Sequence, residues 1–167
     1  MAERTSGGSI DQPAAGACLA ALQVVATPAP GLQIDGGQID DALRVYDELY
    51  AVNSSSLLVA NNLASLLATH REDAESLERA YTVARRLRGS DFPPFQDTYG
   101  WIAYRRGDKD EALAHLEKAA AGLPDDAMVQ YHYAMALLAA GETASARDQF
   151  DKTIAMLEPE DKRAFAE

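Results

Sequence analysis

Histidine and cysteine side chains are the groups in this sequence best suited to catalysis or metal binding, and they are few. The histidines are His70, His115 and His132, and Cys18 is the only cysteine. No two of these residues stand at the short spacings that zinc ligands need, and no histidine lies near Cys18 in sequence to activate its thiol. Phosphate-binding glycine loops and nucleophile elbows are also lacking. The sequence therefore predicts a protein that is not an enzyme, with no catalytic residue, no metal site and no cofactor.

The net charge of the chain limits its partners. It is −11 at pH 7, whereas nucleic acids and anionic membrane surfaces attract basic patches. No apolar run approaches the roughly 20 residues of a membrane span, and the first residues do not resemble a signal peptide. We therefore expect a protein or peptide partner, no nucleic acid and no membrane insertion. The compartment stays open between the cytoplasm and a bacterial periplasm.

From Ile39 onward, apolar residues recur at spacings of three and four, which predicts α-helices. After the helix that begins near Ile39, the pattern predicts helices over about 57–69, 74–88, 95–106, 109–121, 127–140 and 143–157. Turn residues separate them, because glycine permits a sharp reversal and proline cannot continue a helix. A chain of short helices joined in this way must bury its apolar faces between neighbours.

Two stretches of the chain repeat each other at a spacing of 34 residues. Tyr99 and Gly100 are followed at this spacing by Tyr133 and Ala134, and the later matches are Gly107 with Gly141, Ala112 with Ala146, and Leu116 with Phe150. A fixed period of this size is typical of stacked helical arrays. Small residues such as Gly100 and Ala112 are required where two helices cross closely.

The repeated residues resemble the tetratricopeptide repeat family. The residues at its small, large apolar and closing proline positions are Gly100, Ala112, Leu116, Ala119 and Pro124 in one copy, Ala134, Ala146 and Phe150 in the next, and Ala64 and Ala80 in a weaker third. The family's tryptophan position carries Gln96 and Gln130 instead. The resemblance implies an all-α fold, a right-handed superhelical solenoid of antiparallel helix pairs.

This resemblance divides the chain into segments. Residues 1–12 are expected to form a disordered leader, and 13–35 a helix opened by Pro13 followed by a proline- and glycine-rich loop. The array covers 36–160, with a half repeat at 36–56 and repeats at about 57–92, 93–126 and 127–160. Residues 161–167 form a short C-terminal cap. The first helix of the half repeat is either supplied by residues 13–26 across the loop or absent.

In the tetratricopeptide family the first helix of each pair lines a concave groove. The resemblance places the partner-binding residues at Asn61, Ser65, Asp97, Trp101, Tyr104, Arg105, Tyr131 and Met135. Trp101 is equally suited to binding a ligand and to packing between repeats. Tyr104 favours the groove, with Arg105 offering a charge-assisted contact, and Tyr131 favours packing. Asp97 would repel a carboxylate, so a clamp for C-terminal tails is not expected.

The predicted function is a non-catalytic protein–protein interaction module, a scaffold or adaptor that binds a peptide or partner helix in its groove. The alternative is a structural spacer, or a segment that self-associates through the terminal helix. Stretches such as Asn61–Ala64 and Asp97–Trp101 are also similar to the C-terminal repeats of large bacterial tetratricopeptide proteins. Several of those are associated with exopolysaccharide production or export and with the envelope.

Overall fold

The fold is an all-α solenoid, as the sequence predicts. The computed structural model describes residues 36–157, and within that range the chain forms seven α-helices and no strand. They are α1 (Gly36–Val52), α2 (Leu57–His70), α3 (Ala74–Ala84), α4 (Pro93–Arg106), α5 (Lys109–Gly122), α6 (Ala127–Ala140) and α7 (Thr143–Met156). Each helix contacts the next, and α4 also contacts both α2 and α6. The expectations for 1–35 and 161–167 lie outside the described residues, and the division into repeats stays a prediction.

Local signals place the helix boundaries. Ser56, Asp73 and Asp126 precede α2, α3 and α6, and their side chains accept backbone N–H groups of the first turn. Gly107 and Gly141 end α4 and α6 with φ of 87° and 88°, in the left-handed region that glycine tolerates best. These caps explain why the helices begin and end close to the positions that the sequence predicts.

The third predicted helix is the one whose end differs from the expectation. It was predicted to continue to about residue 88, but α3 ends at Ala84 and a single 3₁₀ turn, Arg85–Leu87, follows. A 3₁₀ turn is a common way for a helix to tighten at its C-terminus. Leu87 at the end of this turn is fully buried, so the tightened backbone still delivers an apolar side chain to the core.

Helix pairs cross at small residues. A methyl group added at Gly100 of α4 would lie 2.7 Å from Leu116 Cγ of α5, far inside van der Waals contact. The repeat positions that are buried to 1% exposure or less are Ala64, Ala80, Ala112, Leu116, Ala119, Ala134 and Ala146. Phe150 is half-buried and Pro124 is exposed. Contact between these small residues and the facing side chains thus sets the distance between the two helices of a pair.

Candidate functional site

A stack of three rings is the main feature of the first-helix face. Trp101 of α4 lies parallel to His132 of α6, with ring centroids 4.0 Å apart and planes 15° apart. On its other side Trp101 stacks on Tyr104, at 4.9 Å and 14°. Trp101 and Tyr104 are both half-buried, so each ring has a packed part and an accessible part. The stack therefore joins two successive first helices while leaving aromatic surface available.

A hydrogen bond between repeats orients the histidine of this stack. The distance from His132 Nδ1 to Asp97 Oδ1 is 2.9 Å, and the two side chains are only 11% and 16% exposed. A bond to one ring nitrogen fixes the plane of an imidazole. Asp97 thus holds the His132 ring flat against Trp101, and its Oδ1 is engaged within the fold.

The surface of α6 continues the aromatic stack with apolar groups. Tyr131 is half-buried, with its ring centroid 6.4 Å from that of Trp101 and 6.1 Å from that of Phe150. Met135 is half-buried and Leu138 is 47% exposed. Between Ala127 and Ala140, α6 contains no Asp, Glu, Lys or Arg. This part of the first-helix face is therefore mainly aromatic and aliphatic.

The first helix at the other end of the array, α2, is different. Asn61 is only 8% exposed, and its Nδ2 donates a hydrogen bond of 3.2 Å to Asn62 Oδ1. Asn62 in turn donates to the Tyr46 hydroxyl at 3.0 Å. Ser65 is half-buried. The side chain of Asn61 therefore points into the protein, and α2 has no Trp, Tyr or Phe that could continue the aromatic stack.

Arg105 has a role within the fold. Its guanidinium donates to the backbone carbonyls of Ala68 and, at 3.0 Å, of Arg71. These carbonyls belong to the end of α2, where backbone acceptors have no partner within the helix. The charge that seemed available next to Tyr104 therefore caps a neighbouring helix, and sequence reasoning has no means of detecting this.

Buried amides join the two helices of a pair, and sequence reasoning missed them. His115 Nδ1 lies 2.6 Å from Gln96 Oε1, and Gln149 donates to Gln130 Oε1 in the next repeat. Gln130 also donates to the carbonyls of Ala120 and Leu123, each at 2.9 Å. The signal was present in the sequence, because Gln96 and Gln130 are 34 residues apart and so are His115 and Gln149. A polar pair that recurs at the repeat period indicates that the two helices of each pair meet at the same positions in both repeats.

Two properties of the described residues bear on other functions. Between residues 36 and 157 no three His, Cys, Asp or Glu side chains come together as metal ligands would. In the same range no helix is both long and apolar enough to cross a bilayer. The pKa of His115 lies below its ordinary value, because the lowering caused by burial outweighs the raising effect of the nearby Glu111 carboxylate.

Comparison with known proteins gives a single finding. The family model described as tetratricopeptide repeat matches this chain twice, at residues 32–92 and 100–160. Curated proteins offered no match to the chain. The two matched ranges contain all seven helices apart from the first residues of α4, and the boundary between them lies within that helix. The narrower likeness to bacterial envelope proteins stays a prediction.

Proposed function

Because the chain belongs to the tetratricopeptide repeat family, we propose that it is a non-catalytic module that binds a partner protein along the first helices α4 and α6. Repeats of this family generally mediate protein–protein interaction. The finer proposal concerns which surface is used and what it binds.

The half-buried ring of Trp101 carries this proposal. Aromatic side chains supply much of the binding energy at protein interfaces when part of their surface is desolvated by the partner. Trp101 is held from both sides by Tyr104 and His132, so little side-chain entropy is lost when a ligand contacts it. A fixed and partly accessible tryptophan is better suited to recognition than a mobile one.

The surroundings of Trp101 suggest the chemistry of the partner. Met135 and Leu138 lie one and two turns along α6 from Tyr131, on a helix with no Asp, Glu, Lys or Arg. An amphipathic helix buries its apolar side chains at positions i, i+3, i+4 and i+7 in such a surface. We therefore infer that the ligand is a helix or extended peptide whose aliphatic residues contact α6 and whose polar residues face solvent.

The test is a selection for peptide ligands followed by matched substitutions. A displayed library of amphipathic helices is selected against the immobilised full chain, and affinities are measured through the fluorescence of Trp101, the single tryptophan. Met135→Asp should weaken binding by about tenfold or more, as expected for a central interface residue. Met156→Asp is the matched control, since Met156 is 39% exposed but lies on the second helix α7. Equal losses in both variants, or a library without ligands, would contradict the proposal.

Self-association through α7 is the second candidate. Ile154 is 46% exposed on α7, and the half-buried Phe150 and Leu157 lie about one turn before and after it on the same face. Exposed apolar side chains on one helix face are typical of an interaction surface. If this face mediates self-association, the mass measured by light scattering rises with concentration, and Ile154→Asp returns it to that of a monomer. A monomeric wild-type chain at all concentrations would exclude this candidate.

A further inference from the structure

Helix α1 is the only second helix of the array that has no first helix paired with it among the described residues. It aligns with α5 when Ala42 and Tyr46 are set above Ala112 and Leu116, each 70 residues apart. All four side chains are buried: Ala42 and Tyr46 are each 2% exposed, and their counterparts in α5 are 0% exposed. The alignment therefore relates residues with the same packing role, and it can be extended along α1.

The extended alignment identifies the face of α1 that should be covered. Val45 and Leu49 correspond to His115 and Ala119 of α5. In α5 this face contacts the first helix α4, because His115 is hydrogen-bonded to Gln96. The equivalent face of α7 contacts α6 through Gln149, which donates to Gln130.

Among residues 36–157, exposure at one of these equivalent positions is higher in α1 than in α5 and α7. Ala119 and Thr153 are 0% and 5% exposed in α5 and α7, whereas Leu49 is 38% exposed in α1. Val52, one turn further on, is 88% exposed. The strip Val45–Leu49–Val52 is therefore apolar, half-buried at Val45 and open at Leu49 and Val52. It lies at the place where a first helix lies in the complete repeats.

We propose that residues 13–26 of the same chain pack along this strip as the missing first helix. No charged residue occurs from residue 12 to residue 34, and 13–26 contain three alanines before Leu19 and then Leu22, Val24 and Val25. Packing an uncharged apolar segment of this kind against the protein is favourable, because its apolar surface is removed from water. The strip that it would cover is likewise free of charge at all three positions.

The connecting segment is long enough for this arrangement. Residues 27–35 span up to about 30 Å when extended, and the 17 residues of α1 are about 25 Å long. The segment 13–26 can therefore turn back at the start of α1 and run antiparallel to it. Pro28, Pro30 and Gly31 lie in the connection, where a loop is needed and a helix would be disfavoured. This proposal does not depend on the proposed binding function.

Hydrogen exchange measured by mass spectrometry on the full chain tests the proposal. Amides of residues 14–26 should exchange at least about tenfold more slowly than in an unstructured peptide of the same sequence. Leu49→Asp should remove this protection. Leu58→Asp is the matched control, because Leu58 is 59% exposed and its equivalent in α6, Met128, is also 55% exposed. The control variant should retain the protection.

A reciprocal variant covers the case in which Leu49→Asp unfolds α1 itself. The double substitution Leu19→Asp, Leu22→Asp changes only the proposed segment. It should accelerate exchange at the amides of residues 45–52 and leave α4–α7 unchanged. Exchange of 14–26 at unstructured rates in the wild type would overturn the proposal, and so would protection that survives Leu49→Asp. Protection that appears only at high concentration would also overturn it, by assigning the strip to a second copy.

Discussion

The substitution Gly100→Ala tests the steric basis of the fold. An added methyl group would lie 2.7 Å from Leu116 Cγ and 3.1 Å from His115 Cβ, and Leu116 is fully buried. A branched carbon in the core cannot move aside as the end of a flexible chain can, so the helices must separate. Overpacking of this kind costs about 2–3 kcal/mol, whereas alanine gains about 1 kcal/mol over glycine in a helix. We expect a net loss of about 1–2 kcal/mol in the free energy of unfolding.

A double-mutant cycle separates the clash from other effects of this substitution. When Leu116 is first changed to Ala, the 2.7 Å clash is removed and only the 3.1 Å approach to His115 Cβ remains. Gly100→Ala should then be less costly by about 1–2 kcal/mol than in the wild type. Urea unfolding followed by circular dichroism gives the four stabilities. Gly89→Ala is the control, because an added methyl group there meets no atom within 4 Å. If Gly100→Ala has the same effect with and without the Leu116 side chain, the helices do not meet at this glycine and the reasoning fails.

Two further predictions concern the buried polar pairs. Burial lowers the pKa of His115 below its ordinary value of 6.5, so the folded chain binds fewer protons than the unfolded chain, and stability should fall as the pH drops from about 6.5 towards the folded pKa. His115→Gln, which copies Gln149 of the next repeat, should make urea midpoints less dependent on pH, and an unchanged pH dependence would contradict this. Gln130→Leu should destabilise the chain by about 2–3 kcal/mol and Gln149→Leu by about 1 kcal/mol, because Gln130 bonds three partners and Gln149 donates one of those bonds. Thermal unfolding of both variants gives this order, and the reverse order would refute it.

The helices could be predicted from the sequence because local chemistry fixes their ends. The turn at Gly107 needs a backbone conformation that glycine adopts readily, and the carboxylate of Asp126 accepts the first free N–H groups of α6. Both effects act within a few residues and depend little on the rest of the protein. The early end of α3 at Ala84 could not be predicted in this way. The 3₁₀ turn that follows has no side-chain cap, so no residue type marks its position in the sequence.

The candidate site was only partly predictable, because its polar side chains form hydrogen bonds with residues that are distant in sequence. Arg105 caps α2 from a helix 34 residues later in the chain, and Asp97 bonds a histidine 35 residues away. No local pattern distinguishes these arrangements from an exposed charge. Gln96 was readable as a departure from the family pattern, but its bond to His115 becomes visible only when the helix pair is assembled.

Packing and recognition are compatible roles for Trp101. Its ring contacts Tyr104 on its own helix and His132 on the next first helix, so it holds α4 and α6 at one relative position. In the proposed mode of binding, a ligand that covers the remaining surface of the ring would meet both helices at once, and its affinity would depend on their spacing. Replacing Trp101 would therefore disturb the repeat interface and the ligand contact together. Met135 belongs to the proposed binding surface but has no part in the stack, so under this proposal its substitution should change binding without disturbing the repeat interface.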